Sequence, residues 1–292
     1  MAPVDADSFS SSRWQALRTL LDDPSPSVRE ALVEAFKECG LEGIDALRLW
    51  AREDEDTNVR NAARTLLEEL VGPDVVGTFV DFIRAQRYEL ETGVIILNRV
   101  VQPDLDVGAL CQEMDAIAER CRQLIARPAT IRELCRVINR VIFHEYGFRG
   151  NKDDFENPAN SLIGEVMQTR KGLPITLGVL YLLVARRVGL EFEPICLPGR
   201  FMIAYFGAPE PVYVDAFDGG RLRTPGEVSA FLEENGLPVD VADLAPAPIS
   251  EVLLRFCRNL ANHYEEQGDL KHAQLFAEFV LEFAETYRRS TS

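Results

Sequence analysis

The sequence KGLPITLGVLYLLVARRVG, residues 171–189, contains the strongest secondary-structure signal in this chain. Pro174 stands where a helix can begin, because proline has a fixed φ and the first helical residue needs no N–H donor. From there to Val188, apolar side chains lie on almost every side, which is typical of a helix buried at the centre of a domain. The sequence therefore predicts a central, buried helix from Pro174 to Val188.

Three segments with strand character follow this helix: Glu191–Leu197, Phe201–Phe206 and Pro211–Phe217. Gly207-Ala208-Pro209-Glu210 supplies a turn between the second and third segments, which predicts an antiparallel hairpin. The expected core is thus a buried helix packed on an antiparallel sheet.

The chain before the central helix is predicted to be helical. Residues 74–143 keep an apolar pattern at helical spacing, and Ile131–Phe143 is predicted to form one amphipathic helix. Glycine, asparagine and proline residues between 147 and 158 then indicate a long loop. After the loop, Asn160 or Ser161 is expected to cap a helix that ends at about Arg170.

The first part of the chain contains an internal repeat. Val28-Arg29 recurs as Val59-Arg60, 31 residues later, in similar acidic and helical surroundings. A period of this length with helical patterning indicates a solenoid of the HEAT type, with helices near 13–22, 27–39, 42–53 and 57–71. Such helices supply either a partner-binding face or a helical buttress.

The end of the chain returns to helix. Ile249–Gln267 and Leu270–Tyr287 are joined by Gly268-Asp269, which predicts a helical hairpin similar to one tetratricopeptide repeat. Three domains are expected: HEAT-like repeats at 1–72, the core with its preceding helices at 73–240, and the tetratricopeptide-like hairpin at 241–292.

Composition limits the functions that this protein can have. It has 31 Lys and Arg against 47 Asp and Glu, a formal net charge of −16 in 292 residues. This acid excess argues against binding to nucleic acid or to anionic membrane surfaces, since both need clustered cations. The six cysteines form no C-x-x-C pair, so no metal site and no cofactor are predicted. With no signal-peptide pattern and no apolar run long enough to span a bilayer, a cytoplasmic location is expected.

Four motifs in order carry a family resemblance: NPANSL at 157–162, RKGLPITL at 170–177, LPGRF at 197–201 and VDAFDGGRL at 214–222. Together they resemble the bacterial SirB family of transglutaminase-like proteins, over about residues 75–290. The resemblance implies an α+β, predominantly helical fold with a papain- or transglutaminase-like core, here flanked by the HEAT-like and tetratricopeptide-like hairpins.

The same resemblance implies where catalytic residues would stand. Active transglutaminase-like enzymes place a Cys at the N-terminus of the central helix, where the helix dipole stabilises a thiolate, and a His and an Asp on the following strands. In this chain those positions hold Pro174, Arg200 and Asp215. Proline offers no nucleophile and an arginine cannot act as a base at neutral pH. A non-catalytic protein with an interaction, scaffold or regulatory role is therefore expected.

The alternative is a transglutaminase-like hydrolase, cysteine protease or acyltransferase with a displaced nucleophile. Thr176, near the start of the central helix, and Cys196, on the strand before Arg200, are the candidates. A base within hydrogen-bond reach in an open cleft would favour this alternative. The histidines, His263 among them, are expected to be structural.

Charge suggests a use for the altered site. Residues 131–200 carry ten Lys and Arg against eight Asp and Glu, so this segment is slightly positive in an acidic chain. Arg170, Lys171 and Arg200 are expected to converge at the N-terminus of the central helix and to bind a carboxylate or phosphate. The expected partner is a protein or peptide, and an acidic one fits this charge. The competing interpretation is that Arg200 pairs with Asp215 and fills the former active site.

Overall fold

The computed structural model describes residues 12–237 and 244–290, which fall into two compact units, Met1–Asp74 and Val75–Ser292. The described part of the first unit consists of three helices: α1 (Ser12–Leu20), α2 (Pro26–Glu53) and α3 (Thr57–Val71). The helices expected near 27–39 and 42–53 form one element, α2, which is interrupted at Gly40. With φ at 58° and ψ at −132°, this residue takes a conformation that glycine alone adopts without strain.

The first unit has its own aromatic core. The rings of Trp14, Phe36 and Trp50 lie with centroids 6.2 to 6.3 Å apart, two of the three pairs edge to face. Asp56 caps α3 by accepting a hydrogen bond from the backbone N–H of Asn58. The acidic turn residues of the repeat therefore end one helix and start the next.

The second unit begins with helices, as the apolar pattern predicts. They are α4 (Val75–Ala85), α5 (Leu90–Val101), α6 (Val107–Leu124) and α7 (Ile131–Asn139). The amphipathic helix predicted to end at Phe143 is longer than expected, because a π-helical turn, Arg140–Glu145, continues α7.

The region before the central helix contains more regular secondary structure than predicted. A 3₁₀ turn, Pro158–Ser161, precedes α8 (Ile163–Thr169), and two short strands, β1 (Arg149–Gly150) and β2 (Lys171–Gly172), pair in parallel. The prediction that Asn160 or Ser161 caps the helix is wrong. Asn157 caps the 3₁₀ turn instead, through the N–H of Ala159, while Asn160 and Ser161 are buried.

The central helix, α9 (Pro174–Val188), is confirmed at both ends. Every residue from Pro174 to Ala185 is buried, and Gly189 ends the helix in the left-handed conformation at φ 87°. The helix lies very close to the sheet at Gly178, where an added Cβ would come within 2.5 Å of the Phe201 ring. Glycine is needed there because no side chain fits between the two layers.

The antiparallel sheet has four strands among the described residues, in sequence order: β3 (Glu193–Leu197), β4 (Arg200–Tyr205), β5 (Val212–Asp215) and β6 (Arg221–Arg223). The three predicted strands are confirmed with shifts of one or two residues. The fourth, β6, is not predicted by the sequence because only three residues pair, and two of them are arginines.

Three helices complete the second unit: α10 (Pro225–Glu234), α11 (Ile249–Glu266) and α12 (Leu270–Ser290). The predicted helical hairpin is present as α11 and α12, which share a single hydrophobic core with α4 and α9. Phe79 of α4 meets Phe279 of α12 edge to face at 4.8 Å. The domain boundary expected between residues 240 and 241 lies outside the described residues.

Candidate functional site

An ion pair occupies the two strand positions where the resemblance implies a His and an Asp. Arg200 begins β4 and Asp215 ends β5, the neighbouring strand. The Nη2 group of Arg200 donates to both carboxylate oxygens of Asp215, at 3.0 and 2.8 Å. The Asp215 side chain is fully buried, whereas that of Arg200 is 20% exposed. The pair therefore neutralises a carboxylate that has no access to water.

Neighbouring groups hold this pair in place. The N–H of Asp218 donates to Asp215 at 3.2 Å, and Nη2 of Arg223 lies 3.8 Å from the same carboxylate. The Arg200 guanidinium lies over the Phe217 ring, 5.0 Å from its centroid, and over the Phe231 ring at 5.4 Å. Aromatic faces stabilise a cation, so the two rings hold Arg200 in place together with Asp215.

The N-terminus of α9 opens into a cavity of about 210 Å³. Pro174, at the position that the resemblance assigns to the nucleophile, lies on its wall together with Arg200. Apolar side chains form much of the remaining wall, among them Phe155, Leu173 and Phe201. The cavity thus lies where the resemblance implies an active-site cleft.

The other polar wall of the cavity comes from α11. Arg255, Asn259 and His263 all line it. They are spaced by four residues, so they lie on one face of the helix. The sequence does not predict this role for α11, and the expectation for His263 is a structural one. The i, i+4, i+8 spacing is present in the sequence, but α11 carries polar residues on its other faces too, so the spacing alone does not indicate this face.

His263 is buried in the cavity wall, with 8% of its surface exposed, and its Nδ1 has no hydrogen-bond partner among the described residues. Burial lowers the pKa of this histidine, against the opposing charges of Glu266 and Glu156. The Phe155 ring meets the imidazole edge to face at 6.3 Å. At neutral pH the side chain is therefore an uncharged imidazole that lines the cavity.

Arg255 is the cation of this face. Its Nη1 donates to the carbonyl oxygen of Leu197 at 2.8 Å, and it forms no ion pair with any carboxylate in residues 12–237 and 244–290. Asn259 is half-buried, and its amide has no hydrogen bond to another residue of the described part of the chain. The cavity is therefore lined by a guanidinium that has a carbonyl acceptor but no carboxylate partner, and by an amide with no hydrogen bond in the described part of the chain.

The two candidate displaced nucleophiles lack the surroundings that would activate them. Thr176 is fully buried and donates its hydroxyl hydrogen to the carbonyl oxygen of Asn160 at 2.8 Å. Cys196 lies on β3, where burial raises the pKa of its thiol to about 11. The thiol next to Arg255 is therefore protonated at neutral pH, and neither residue meets a histidine or carboxylate base in the contacts described here.

The three residues expected to form an anion site do not come together. Arg200 lines the cavity, but Arg170 and Lys171 do not. Arg170 ends α8 in the left-handed conformation, at φ 62°, and its guanidinium pairs with Glu113 at 2.5 Å. Lys171 belongs to β2. The expectation is corrected because this turn directs the Arg170 side chain to α6, away from the start of α9.

Within the described ranges, no three His, Cys, Asp or Glu side chains are grouped so that they could hold a metal ion. None of the helices described above combines the length and apolar composition that crossing a membrane requires.

Comparison with known proteins places this geometry in a family. A UPF0162 protein of Xylella fastidiosa is 28% identical over 199 residues, which cover 66% of this chain and 70% of that protein. A UPF0162 protein of Vibrio cholerae is 24% identical over 132 residues, 45% of this chain and 49% of the relative. F-box only protein 21 of Mus musculus is 30% identical over 139 residues, 45% of this chain but 22% of that protein. No solved structure matches.

The family model described as the transglutaminase-like superfamily matches residues 108–258. The matched segment contains the central helix, the antiparallel sheet and all three positions of the altered triad, and it makes up just over half of the 292 residues. The chain therefore belongs to the transglutaminase-like superfamily.

Proposed function

We propose that this protein is a non-catalytic member of the transglutaminase-like superfamily that binds a protein or peptide partner. The observation that carries the proposal is the Arg200–Asp215 ion pair, with Nη2 within 3.0 Å of both carboxylate oxygens. In a Cys–His–Asp site the Asp orients a histidine that takes a proton from the nucleophile. Here its partner is a permanently protonated guanidinium, which has no lone pair to accept a proton.

The nucleophile position supports the same conclusion. Pro174 carries neither a nucleophilic atom nor an N–H at the start of α9. The alternative, acyl transfer or hydrolysis through Thr176 or Cys196, requires a base next to a hydroxyl or thiol. The hydroxyl of Thr176 is engaged by a backbone carbonyl, and the raised pKa of Cys196 keeps its thiol protonated. Binding without turnover therefore needs the fewest additional assumptions.

A turnover assay with controls tests this proposal. Purified protein is incubated with a glutamine-donor peptide and a primary amine, and separately with a peptide library, while an active transglutaminase run in parallel shows that the assay detects turnover. We expect no transamidation and no hydrolysis, with or without a thiol-blocking reagent. Turnover that disappears in Cys196→Ser or Thr176→Val, but not in Cys39→Ser, would overturn the proposal.

The helical additions fit a binding role, and we propose that they supply partner surface. The repeat-like helices α2 and α3 belong to the first unit, and α12 exposes Leu270 and Leu281, 67% and 61% accessible. These two leucines lie eleven residues apart, three helical turns, and so share one face. All six cysteines are free thiols, which supports a cytoplasmic location because thiols stay reduced there.

A further inference from the structure

The cavity at the start of α9 holds hydrogen-bond donors that the protein itself does not satisfy. Arg255 has no carboxylate partner in the described part of the chain, and the buried Nε of Arg200 and Nδ1 of His263 have no acceptor or donor opposite them there. Buried polar groups are almost always paired in folded proteins. Two unpaired buried atoms beside one cavity, Nε of Arg200 and Nδ1 of His263, indicate that the cavity binds a polar group.

The start of α9 adds backbone donors to the same place. Leu177 makes the first backbone hydrogen bond of the helix, to Leu173. The N–H groups of Ile175 and Thr176 precede it, and none of the described residues accepts from them. Ile175 lines the cavity. The free N–H groups at the start of a long helix attract an anion, and His263 is the independent buried group that faces the same space.

We propose that this cavity binds the carboxylate of a partner peptide, with Arg255, Asn259 and the N-terminus of α9 as its main donors. The inference rests on the proposed function, since it names what the non-catalytic site recognises. A carboxylate accepts up to about four hydrogen bonds, and a guanidinium and an amide are the groups that recognise it best.

Charge selects a carboxylate over a phosphate. The cavity carries two guanidinium groups, those of Arg200 and Arg255, and one of these charges is cancelled by Asp215. His263 is uncharged at neutral pH. About one positive charge is left, which matches a carboxylate, whereas a phosphate group carries roughly −1.5 to −2 at pH 7.

The volume of the cavity and the composition of its wall indicate the size and polarity of the residue that carries the carboxylate. About 210 Å³ is less than the roughly 300–1,000 Å³ of pockets that take drug-sized molecules, so the cavity holds one residue of a peptide. Phe155, Leu173 and Phe201 provide an apolar wall for its side chain. A C-terminal residue with an apolar side chain presents both features at once, while an internal Asp or Glu presents only the carboxylate.

Calorimetric titration with three probe peptides tests the proposal: acetyl-Gly-Gly-Leu with a free carboxylate, the same peptide as its amide, and acetyl-Gly-Gly-Glu-amide. We expect the free acid to bind and its amide to bind at least about tenfold more weakly, a difference of roughly one charge-assisted hydrogen bond. If the glutamate amide binds better than the free acid, the carboxylate comes from an acidic side chain. Equal binding of acid and amide, or no binding of any peptide, would overturn the inference.

Variants on one helix assign the residues. Arg255→Gln is expected to lower the affinity for the free-acid peptide by about tenfold. Arg258→Gln, three residues away with an exposed side chain, should leave that affinity unchanged. Arg255 also donates a hydrogen bond to the carbonyl oxygen of Leu197, so its replacement can affect the fold as well as binding. Asn259→Leu therefore serves as a second variant, and an unchanged affinity in both variants would refute the assignment. Absence of both binding and turnover removes the carboxylate site but not the non-catalytic proposal. Turnover of a bound peptide removes the non-catalytic proposal alone.

Discussion

Removing the Arg200 guanidinium is expected to destabilise the second unit strongly. In Arg200→Met, the fully buried Asp215 carboxylate loses the Nη2 donor that contacts both of its oxygens. Deleting one partner of a buried pair costs about 3–5 kcal/mol. Arg200 is 20% exposed and Arg223 remains 3.8 Å from the carboxylate, so we expect the lower end, about 3 kcal/mol. The methionine retains the aliphatic contact, which isolates the loss of charge.

A double-mutant cycle shows whether the cost comes from the pair. In Arg200→Met/Asp215→Asn the buried charge is gone, and the amide oxygen can still accept from the N–H of Asp218. We therefore expect the double variant to be about 1–2 kcal/mol more stable than Arg200→Met alone. Both tryptophans, Trp14 and Trp50, lie in the first unit, so urea unfolding is followed by far-ultraviolet circular dichroism. A cost below about 1 kcal/mol for Arg200→Met would refute the reasoning, because the pair would then behave like an exposed one.

Three further predictions concern packing, pH and thiol reactivity. Gly178→Ala places a methyl 2.5 Å from the Phe201 ring and is expected to cost about 1–3 kcal/mol in urea unfolding. Gly226→Ala, which meets nothing within 4 Å, is the control and should be neutral or slightly stabilising. Since the pKa of His263 is lowered in the folded chain, the unfolded chain takes up the proton first as pH falls below about 6.5. Stability should therefore fall from pH 7 toward pH 5, by up to about 1.4 kcal/mol per unit, and less steeply in His263→Gln; equal slopes would contradict a buried neutral imidazole. With a thiol pKa of about 11, Cys196 should be alkylated by iodoacetamide roughly a hundredfold more slowly than free cysteine at pH 7.5, as read by mass spectrometry of its peptide. A rate equal to that of free cysteine would support the displaced-nucleophile alternative.

The central helix can be predicted from sequence because both of its ends and its burial are encoded locally. Pro174 fits the first helical position, Gly189 takes the left-handed conformation that ends the helix, and the residues between them are apolar on every side. The three strands that follow are recognised for the same reason. Strand β6 cannot be predicted in this way. Its three residues, Arg221 to Arg223, form a strand only because they pair with β5, and nothing in their composition indicates a strand.

The site is harder to predict because it depends on contacts between distant segments. The altered triad positions can be assigned from motifs, and the pairing of Arg200 with Asp215 is one of the two uses that the sequence analysis gives for Arg200. The role of α11 cannot be assigned in that way, since His263 lies 89 residues after Pro174 and meets it only when the C-terminal hairpin packs on the core. The prediction for Arg170 is wrong for the opposite reason. It precedes the helix in sequence, yet a single left-handed residue directs its side chain to Glu113.

Two roles are expected for Arg200: to pair with Asp215 in the former active site, or to bind an anion. These two roles involve different groups of the protein. Asp215 is satisfied by the guanidinium on β4 and needs no ligand. Beside that pair, the buried Nδ1 of His263 on α11 has no partner among the described residues, and leaving a buried polar group unsatisfied costs about 1–3 kcal/mol. Apolar residues on that face of α11 would fill the space at no such cost. We propose that the Arg200–Asp215 pair accounts for a lack of catalysis and that the polar face of α11 supplies the donors for a carboxylate. Arg200 contributes to both, since it neutralises Asp215 while its Nε still lacks an acceptor.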